Sequence, residues 1–287
     1  MLSVFHNELW IFNRYCVKKV KSGSNLVSIG AGSILIDAHV HLSDSLLRNR
    51  AEQISLFLKA SGTKVCSVST DIASSKTVLE QAETFGGSSY NFIGIHPSEC
   101  AKENIQAFRE LFTDNIGQTD GIGEIGLDGG YSQDEGFLMT QEKVFEEMLA
   151  LAEKHSLPVS VHSRGAFLKT IEFLSRYRLR GVLLHWFAGT ESELSKANDK
   201  GYFVSFGPAV VYSNGLQRLA CKASTNLILT ETDGPVSYSA CFEGKMAEPS
   251  FLASVWHSLS YVLGIKPAEL EHKLAQNFAT YIGKSKG

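Results

Sequence analysis

Eight short apolar runs, each followed by a longer segment with helical periodicity, constrain the fold of this chain more than any other feature of its sequence. Most of the runs are rich in Val and Ile, and several are continuously apolar, which is typical of parallel strands buried on both faces. The runs lie at 34–37, 65–69, 91–95, 121–125, 159–161, 182–184, 202–205 and 227–230.

The segments between these runs have the three- and four-residue spacing of amphipathic helices. The clearest lies at 140–155, with Thr140 as the expected N-cap. Further helical patterns lie at 51–60, 75–85, 105–112, 167–177, 192–199, 214–223, 250–262 and 267–282. Eight strands alternating with helices predict an α/β fold, a (β/α)8 TIM-type barrel. A doubly wound open sheet is the alternative, but the Gly-rich dinucleotide fingerprint after the first strand is absent.

The first 33 residues differ from the rest, so we expect an N-terminal extension at 1–33 and one barrel domain at 34–287. In the extension an apolar stretch comes first, basic residues follow, and residues 22–33 are rich in Gly and Ser. A secretory signal has the basic region before the apolar core, so this order argues against one. An appended strand or helix, a flexible lead-in and an organellar transit peptide remain as interpretations.

Composition excludes several classes of protein. The chain has 287 residues, 44% hydrophobic residues and a formal net charge of −3. It lacks the 18-residue apolar run of a transmembrane helix. Its five Cys form no CxxC pair, which favours a reducing compartment, and we expect a cytoplasmic protein. The slightly acidic balance argues against a broad basic face that binds duplex nucleic acid.

Imidazoles and carboxylates follow the apolar runs, at the strand ends where parallel barrels carry their reactive groups. His39 and His41 point to the same side of their strand because side chains alternate with period two. Converging imidazoles and carboxylates suit Zn²⁺, or Mn²⁺ and Mg²⁺ where carboxylate and water dominate. The other candidate ligands at matching strand ends are Glu124, His162, His185 and Asp233.

Other polar residues near these strand ends could have either a structural role or a role in the site. Asp37 could hold a ligand His or the start of its strand, or contact a metal directly. Asp128 could cap a loop or belong to the site, and His96 could be a turn residue or a substrate contact. Arg164 could be a surface charge or bind an anion with two nitrogens. Ser163 lies between a His and an Arg, which could suggest a catalytic nucleophile, but no Gly-x-Ser-x-Gly elbow surrounds it, so we do not expect that role.

Together these stretches resemble the TatD family of metal-dependent deoxyribonucleases, within the wider amidohydrolase-like metal-barrel group. The set occurs in family order and spans about 34–282. It comprises IDAHVHL at 36–42, GIHP at 94–97, GEIGLD at 123–128, PVSVHSR at 158–164, HWFAGT at 185–190, SFG at 205–207 and ETDGP at 231–235.

The resemblance implies a phosphodiesterase site with two divalent cations, which could be Zn²⁺, Mg²⁺ or Mn²⁺. In that site Glu124 bridges the cations, with His39, His41 and Asp233 on one side and the two remaining imidazoles on the other. The implied ligands are His39, His41, Glu124, His162, His185 and Asp233.

The resemblance also implies an activity and the roles of further residues. Family members hydrolyse DNA, often as 3′→5′ exonucleases on single strands, and some accept RNA. Asp233 and Glu124 would be catalytic, with Asp233 orienting the attacking water and accepting its proton. His96 and Arg164 would hold the scissile phosphate. We expect single-stranded DNA or DNA ends as substrate, no membrane association and no obligate protein partner.

Several positions depart from the family pattern. Ser98 stands where a second His is common after Gly-x-His-Pro, and two glycines precede Tyr131 where an aromatic pair is usual. Trp186 replaces a common Cys, and residues 245–247 read KMA where Lys-Arg-Asn is frequent. Ser98 puts one phosphate contact in doubt, the two glycines could displace a base-stacking element, and residues 245–247 reduce the cationic groups expected at the rim. Trp186 need not disturb the metals.

Two other functions follow from the same residues. The first is a metal-dependent hydrolase of a small phosphoester, lactone or cyclic amide, suggested by Ser98 and the small number of basic residues. The second is a catalytically silent metal-barrel scaffold or binding partner. The second is disfavoured because all six candidate ligand positions carry side chains that can bind a metal.

Overall fold

The computed structural model describes residues 10–13, 16–19, 35–131 and 134–283. The first described elements form a hairpin, in which β1 (Trp10–Asn13) pairs antiparallel with β2 (Cys16–Lys19). The rest of the predicted extension lies outside the described residues. Its boundary with the barrel domain and its role therefore stay predictions.

A parallel sheet of eight strands follows, with each strand bonded to the next one along the chain. The strands are β3 (Ile36–Val40), β4 (Lys64–Val68), β5 (Ser89–Ile93), β6 (Gly121–Gly126), β7 (Val159–His162), β8 (Val182–Leu184), β9 (Phe203–Phe206) and β10 (Ile228–Thr230).

Hydrogen bonds between the first and last strands of this sheet close it into a barrel. The hydroxyl of Thr230 in β10 donates to the carbonyl of Ile36 in β3 at 2.6 Å. Just beyond β10, the N–H of Asp233 donates to the carbonyl of His39 at 3.0 Å. The closed sheet and the helices between its strands confirm the predicted α/β, (β/α)8 TIM-type barrel.

Helices connect the strands and complete the chain. They are α1 (Ser45–Arg48), α2 (Ala51–Ser61), α3 (Ile72–Glu80), α4 (Ala82–Phe85), α5 (Ile105–Asp114), α6 (Glu135–His155), α7 (Phe167–Leu174), α8 (Glu191–Asp199), α9 (Asn214–Lys222), α10 (Leu252–Leu263) and α11 (Pro267–Ile282). None of the helices in the described ranges has both the length and the apolar composition needed to cross a bilayer.

Helix α6 begins earlier than its periodicity predicted. Asp134 is the N-cap and accepts a hydrogen bond from the N–H of Phe137 at 2.8 Å. The predicted cap, Thr140, lies inside the helix, where its hydroxyl donates to the carbonyl of Gly136. The prediction was wrong because a carboxylate at the true N-terminus satisfies the first N–H groups more than one turn earlier.

The N-terminal end of the barrel is filled by apolar side chains from α11. The ring of Tyr281 lies 6.1 Å from that of Phe92 and 5.7 Å from that of Phe203, and its hydroxyl donates to the carbonyl of Val159 at the start of β7. Phe278 packs in the same cluster. With this end filled, the polar groups inside the barrel lie towards the carboxyl ends of the strands.

Candidate metal centre

The structure brings all six predicted ligands together at the carboxyl ends of the barrel strands, with each side chain no more than 17% exposed. A buried charge is stable only when it is paired or binds a metal, so this cluster requires compensating partners. Three of the predicted ligands lie in strands, namely His39 in β3, Glu124 in β6 and His162 in β7. The other three follow strands: His41 and His185 directly after β3 and β8, and Asp233 three residues after β10.

The first group of donor atoms surrounds one oxygen of Glu124. The Nε2 atoms of His39 and His41 lie 3.3 Å apart, and each lies 3.4 Å from Oε2 of Glu124. Their distances to Oδ1 of Asp233 are 3.6 and 3.3 Å. Four ligands placed tetrahedrally at about 2.1 Å from a common centre lie about 3.4 Å from one another. The spacing therefore fits a cation held between these atoms.

The other oxygen of Glu124 faces a second group of imidazoles. Oε1 lies 2.7 Å from Nε2 of His185 and 3.0 Å from Nδ1 of His162. His96, predicted to contact substrate, also lies here, with its Nε2 3.3 Å from the same oxygen. Glu124 therefore stands between two adjacent groups of donors, in which the rings of His39 and His185 stack with centroids 3.8 Å apart. His96 lies close enough to join the second group.

The electrostatics of this cluster depend on burial and on the partners of each group. Burial raises the pKa of Glu124, but the charges of His185 and His96 and its imidazole hydrogen bonds outweigh it and hold the pKa well below its usual range. Burial, together with the charge of His185, lowers the pKa of His39 to about 3. A carboxylate and a neutral imidazole are the forms that bind metal.

Two imidazoles next to carboxylates behave in the opposite way. Burial lowers the pKa of His41, but its hydrogen bond with Asp233 and the charge of Glu124 raise it to about 9. Burial likewise lowers the pKa of His162, but hydrogen bonds with Asp128 and Glu124 raise it to about 9. A cation bound here would replace these protons as the partner of the carboxylates.

The orientation of His39 depends on a residue that sequence reasoning missed. Ser160 in β7 has its hydroxyl 2.8 Å from Nδ1 of His39, which leaves Nε2 facing the first group of donors. Both residues are fully buried. The signal in the sequence that could have identified Ser160 is its polar side chain between Val159 and Val161, two residues before the predicted ligand His162.

Asp37 holds the segment after β10 and does not reach the donor groups. Its carboxylate accepts hydrogen bonds from the N–H of Thr232 at 2.8 Å and from its hydroxyl at 2.5 Å. Burial outweighs these hydrogen bonds, which lower the pKa of Asp37, and raises it to about 7. The structure therefore supports a structural role for Asp37 over direct contact with a metal, since Asp37 holds Thr232, which directly precedes the predicted ligand Asp233.

Asp128 joins a predicted ligand to a predicted substrate contact. Its Oδ2 lies 2.6 Å from Nε2 of His162 and accepts a hydrogen bond from Nε of Arg164 at 2.8 Å. Its Oδ1 accepts from the N–H of Gly130 at 2.6 Å. Burial raises the pKa of Asp128, but these hydrogen bonds outweigh it and lower the pKa to about 2. The carboxylate thus orients both His162 and Arg164.

Glu231 is a second buried carboxylate that sequence reasoning did not single out. It accepts hydrogen bonds from the hydroxyl of Ser205 at 2.6 Å and from the N–H of Trp186 at 2.7 Å. Its Oε2 lies 3.8 Å from Nδ1 of His185. Burial and the charge of Asp233 raise its pKa well above the usual range. Glu231 therefore anchors the backbone next to His185. The signal in the sequence that could have identified Glu231 is its position two residues before Asp233, since the alternation of an extended chain predicts the same side for both side chains.

The residues that depart from the family pattern still lie at the rim. The hydroxyl of Ser98 is 2.8 Å from Nδ1 of His96, so it orients this ring. Tyr131 is half-exposed, with its ring 5.9 Å from that of His96 and 5.0 Å from the guanidinium carbon of Arg164. The aromatic group displaced by two glycines thus remains beside the predicted phosphate contacts.

Comparison with known proteins identifies the family. Residues 36–283 match the family model described as TatD related DNase. An uncharacterized metal-dependent hydrolase of Buchnera aphidicola is 30% identical over 262 residues, which cover 86% of this chain and 98% of that protein. Human deoxyribonuclease TATDN3 is 28% identical over 221 residues, 71% of this chain and 79% of that protein.

Solved structures share the fold. YjjV, a TatD homologue from Escherichia coli, superposes with a TM-score of 0.80 at 24% identity and covers 87% of this chain and 98% of its own. A TatD family hydrolase from Entamoeba histolytica superposes with a TM-score of 0.75 at 18% identity, with the same coverage of both chains. The chain therefore belongs to the family of TatD-related DNases and is a metal-dependent hydrolase that acts on ester bonds.

Proposed function

We propose that this chain is a divalent-metal-dependent deoxyribonuclease that degrades single-stranded DNA from the 3′ end through a two-metal site. The observation that carries the proposal is the position of Glu124, whose two oxygens face two different groups of donor atoms. DNA as the substrate class is supported by the family and by the deoxyribonuclease among the relatives.

In this proposal each group of donors holds one cation. His39, His41 and Asp233 would hold the first, His162 and His185 the second, and Glu124 would contribute one oxygen to each. The cations could be Zn²⁺, Mg²⁺ or Mn²⁺, since imidazole and carboxylate ligands suit all three. When bound, a pair of divalent cations lowers the pKa of water and neutralises charge on the reacting phosphate.

The side chains of the centre then have distinct tasks. Asp233 would orient the attacking water and take its proton on a carboxylate oxygen. Glu124 would fix the positions of the two groups of donors relative to each other. His96 and Arg164 would position the scissile phosphate, since Arg164 carries a fork-shaped cation beside the second group. Because Nε2 of His96 lies 3.3 Å from Oε1 of Glu124, His96 would also be able to contact the second cation, in addition to the substrate.

The charge of the chain favours a strand end over a long duplex as the substrate. A net charge of −3 argues against a broad basic surface of the kind that holds duplex DNA, so attraction for phosphate would come from the cations and from a few residues such as Arg164. All proposed ligands come from one chain, so the mechanism requires no protein partner.

We also propose a cytoplasmic location. Four of the five cysteines, whose side chains the structure describes, lie outside any disulfide: Cys66, Cys100, Cys221 and Cys241. This usage is typical of a reducing compartment.

The experiment incubates metal-loaded protein with single-stranded DNA labelled at the 3′ or the 5′ end, beside the double variant Glu124→Ala/Asp233→Ala. We expect early loss of the 3′ label, gradual shortening of the 5′-labelled strand, and neither in the variant. Intact DNA together with turnover of a small phosphoester, lactone or cyclic amide would contradict the proposal and favour the small-molecule hydrolase. Early loss of the 5′ label would contradict only the direction.

A further inference from the structure

A cavity of about 690 Å³ opens beside the second group of donors, between the segments that follow β7 and β8. Pockets of about 300–1,000 Å³ hold small organic molecules, so this cavity has room for much more than a phosphate group. His162 and His185 contribute to its lining, so it adjoins the proposed site of reaction. Further lining residues are Arg164, Phe167, Leu168, Trp186 and Phe187.

Trp186 is an aromatic residue of this cavity that core packing does not explain. It is 38% exposed, whereas its neighbour Phe187 is 4% exposed and packs against Phe167 with ring centroids 6.0 Å apart. It directly follows His185, whose Nε2 is 2.7 Å from Glu124. Successive Cα atoms are about 3.8 Å apart, so the indole is attached right beside the metal centre.

The backbone of Trp186 is held in an unusual conformation. Its φ is 43°, in the left-handed region that residues other than Gly, Asn and Asp rarely adopt. Its N–H donates to Oε1 of the buried Glu231 at 2.7 Å and to the hydroxyl of Ser205 at 3.1 Å. Such strain persists only where surrounding structure enforces it, and it concentrates at functional sites.

The indole is also restrained on the side of β10. Its ring lies 5.9 Å from that of Tyr238, which is 3% exposed and whose hydroxyl donates to the carbonyl of Thr232. A large flat apolar group is therefore held in place at the wall of a cavity, partly exposed, before any ligand binds. Preorganised aromatic surfaces of this kind bind planar rings at little cost in conformational entropy.

We propose that Trp186 is a stacking platform for the nucleobase next to the scissile phosphate, and that this cavity is the subsite for that base. The inference rests on the proposed nuclease function. A nucleotide offers a planar ring and an anion, and the cavity matches them with the indole of Trp186 and the guanidinium of Arg164. Since every base has a π-face, the subsite recognises a nucleotide without selecting its sequence.

The experiment pairs changes in the protein with changes in the substrate. It compares the wild type, Trp186→Ala and Trp186→Phe on single-stranded DNA that carries either normal nucleotides or one abasic residue at each of the four positions around the cleaved bond. Tyr261→Ala is the matched control, since Tyr261 is an aromatic residue on α10 that is 76% exposed and does not line the cavity.

We expect Trp186→Ala to lower kcat/KM by about 5- to 150-fold, mainly through KM, with Trp186→Phe less affected. One of the abasic positions should lower kcat/KM of the wild type by a similar factor. The same abasic residue should lower kcat/KM of Trp186→Ala almost no further. An abasic penalty that is equal in the wild type and in Trp186→Ala would overturn the subsite and leave the nuclease function intact.

A second readout does not require cleavage. Tryptophan emission of metal-loaded protein is titrated with thymidine 5′-monophosphate, which carries the base and the anion but has no phosphodiester bond to cleave. We expect quenching in the wild type that is largely lost in Trp186→Phe. Quenching without DNA cleavage would keep the subsite and overturn the proposed nuclease function, whereas equal or no quenching in the two proteins would overturn the subsite.

Discussion

Asp128→Asn is expected to weaken binding of the second cation without disturbing the first. In the folded protein Oδ1 of Asp128 accepts from the N–H of Gly130, while Oδ2 faces Nε2 of His162 and Nε of Arg164. In the variant the amide oxygen would stay on Gly130. The amide nitrogen would then face two N–H donors, and the ring of His162 would lose the acceptor that orients it.

The magnitude follows from the contact that is lost. A hydrogen bond to a charged group contributes about 1.5–3 kcal/mol, and each ~1.4 kcal/mol corresponds to about tenfold in affinity. Loss of the 2.6 Å contact between Asp128 and His162 should therefore weaken the second cation roughly 10- to 100-fold. The first group contains neither residue, so its affinity should change little.

The assay is calorimetric titration of metal-free protein with Mn²⁺ or Zn²⁺, with DNA cleavage measured on the same samples. Glu172→Gln provides a matched carboxylate-to-amide control, because Glu172 pairs with Arg176 on the exposed surface of α7. Arg164→Gln should raise KM for DNA while both metal affinities stay unchanged. If Asp128→Asn binds two cations with wild-type affinities, the assigned positioning role of Asp128 is incorrect.

Three further predictions concern stability. Thr232→Val removes one donor to the buried carboxylate of Asp37 and should lower the free energy of unfolding by about 1–3 kcal/mol in urea titrations; an unchanged midpoint would contradict that contact. Tyr281→Phe removes the bond to the carbonyl of Val159 and should cost about 1 kcal/mol with unchanged kcat, and a loss of activity would refute the purely structural role of this hydroxyl. Chelation with EDTA should lower the melting temperature of the wild type but not of Glu124→Ala, since ligands that bind only the folded state stabilise it. Equal shifts in the two proteins would contradict a metal site built around Glu124.

The ligand positions could be predicted because they depend on local sequence rules. Strand side chains alternate, parallel barrels place their reactive groups at the carboxyl ends, and the apolar runs mark those ends. His39 and His41 are two residues apart after one run, and Glu124 lies near the end of another, so their convergence followed from the fold class. Their separation into two groups around the oxygens of Glu124 could not be read from the sequence.

The contacts of the supporting residues could not be predicted because they cross the barrel. Ser160 is 121 residues from His39, and Glu231 is 45 residues from the backbone N–H that it holds at Trp186. Such pairs depend on strand register and side-chain rotamers, which local patterns do not encode. The start of α6 at Glu135 was missed for a related reason, since a capping carboxylate lies outside the apolar periodicity.

The central claim is that Glu124 joins two cations that together hydrolyse DNA. The most direct measurement adds Mn²⁺ stepwise to metal-free protein and records electron paramagnetic resonance and cleavage of 3′-labelled single-stranded DNA on each sample. We predict two Mn²⁺ bound per chain, a spin-coupled signal, and activity that appears with the second equivalent. Full activity with a single uncoupled Mn²⁺ per chain would contradict it.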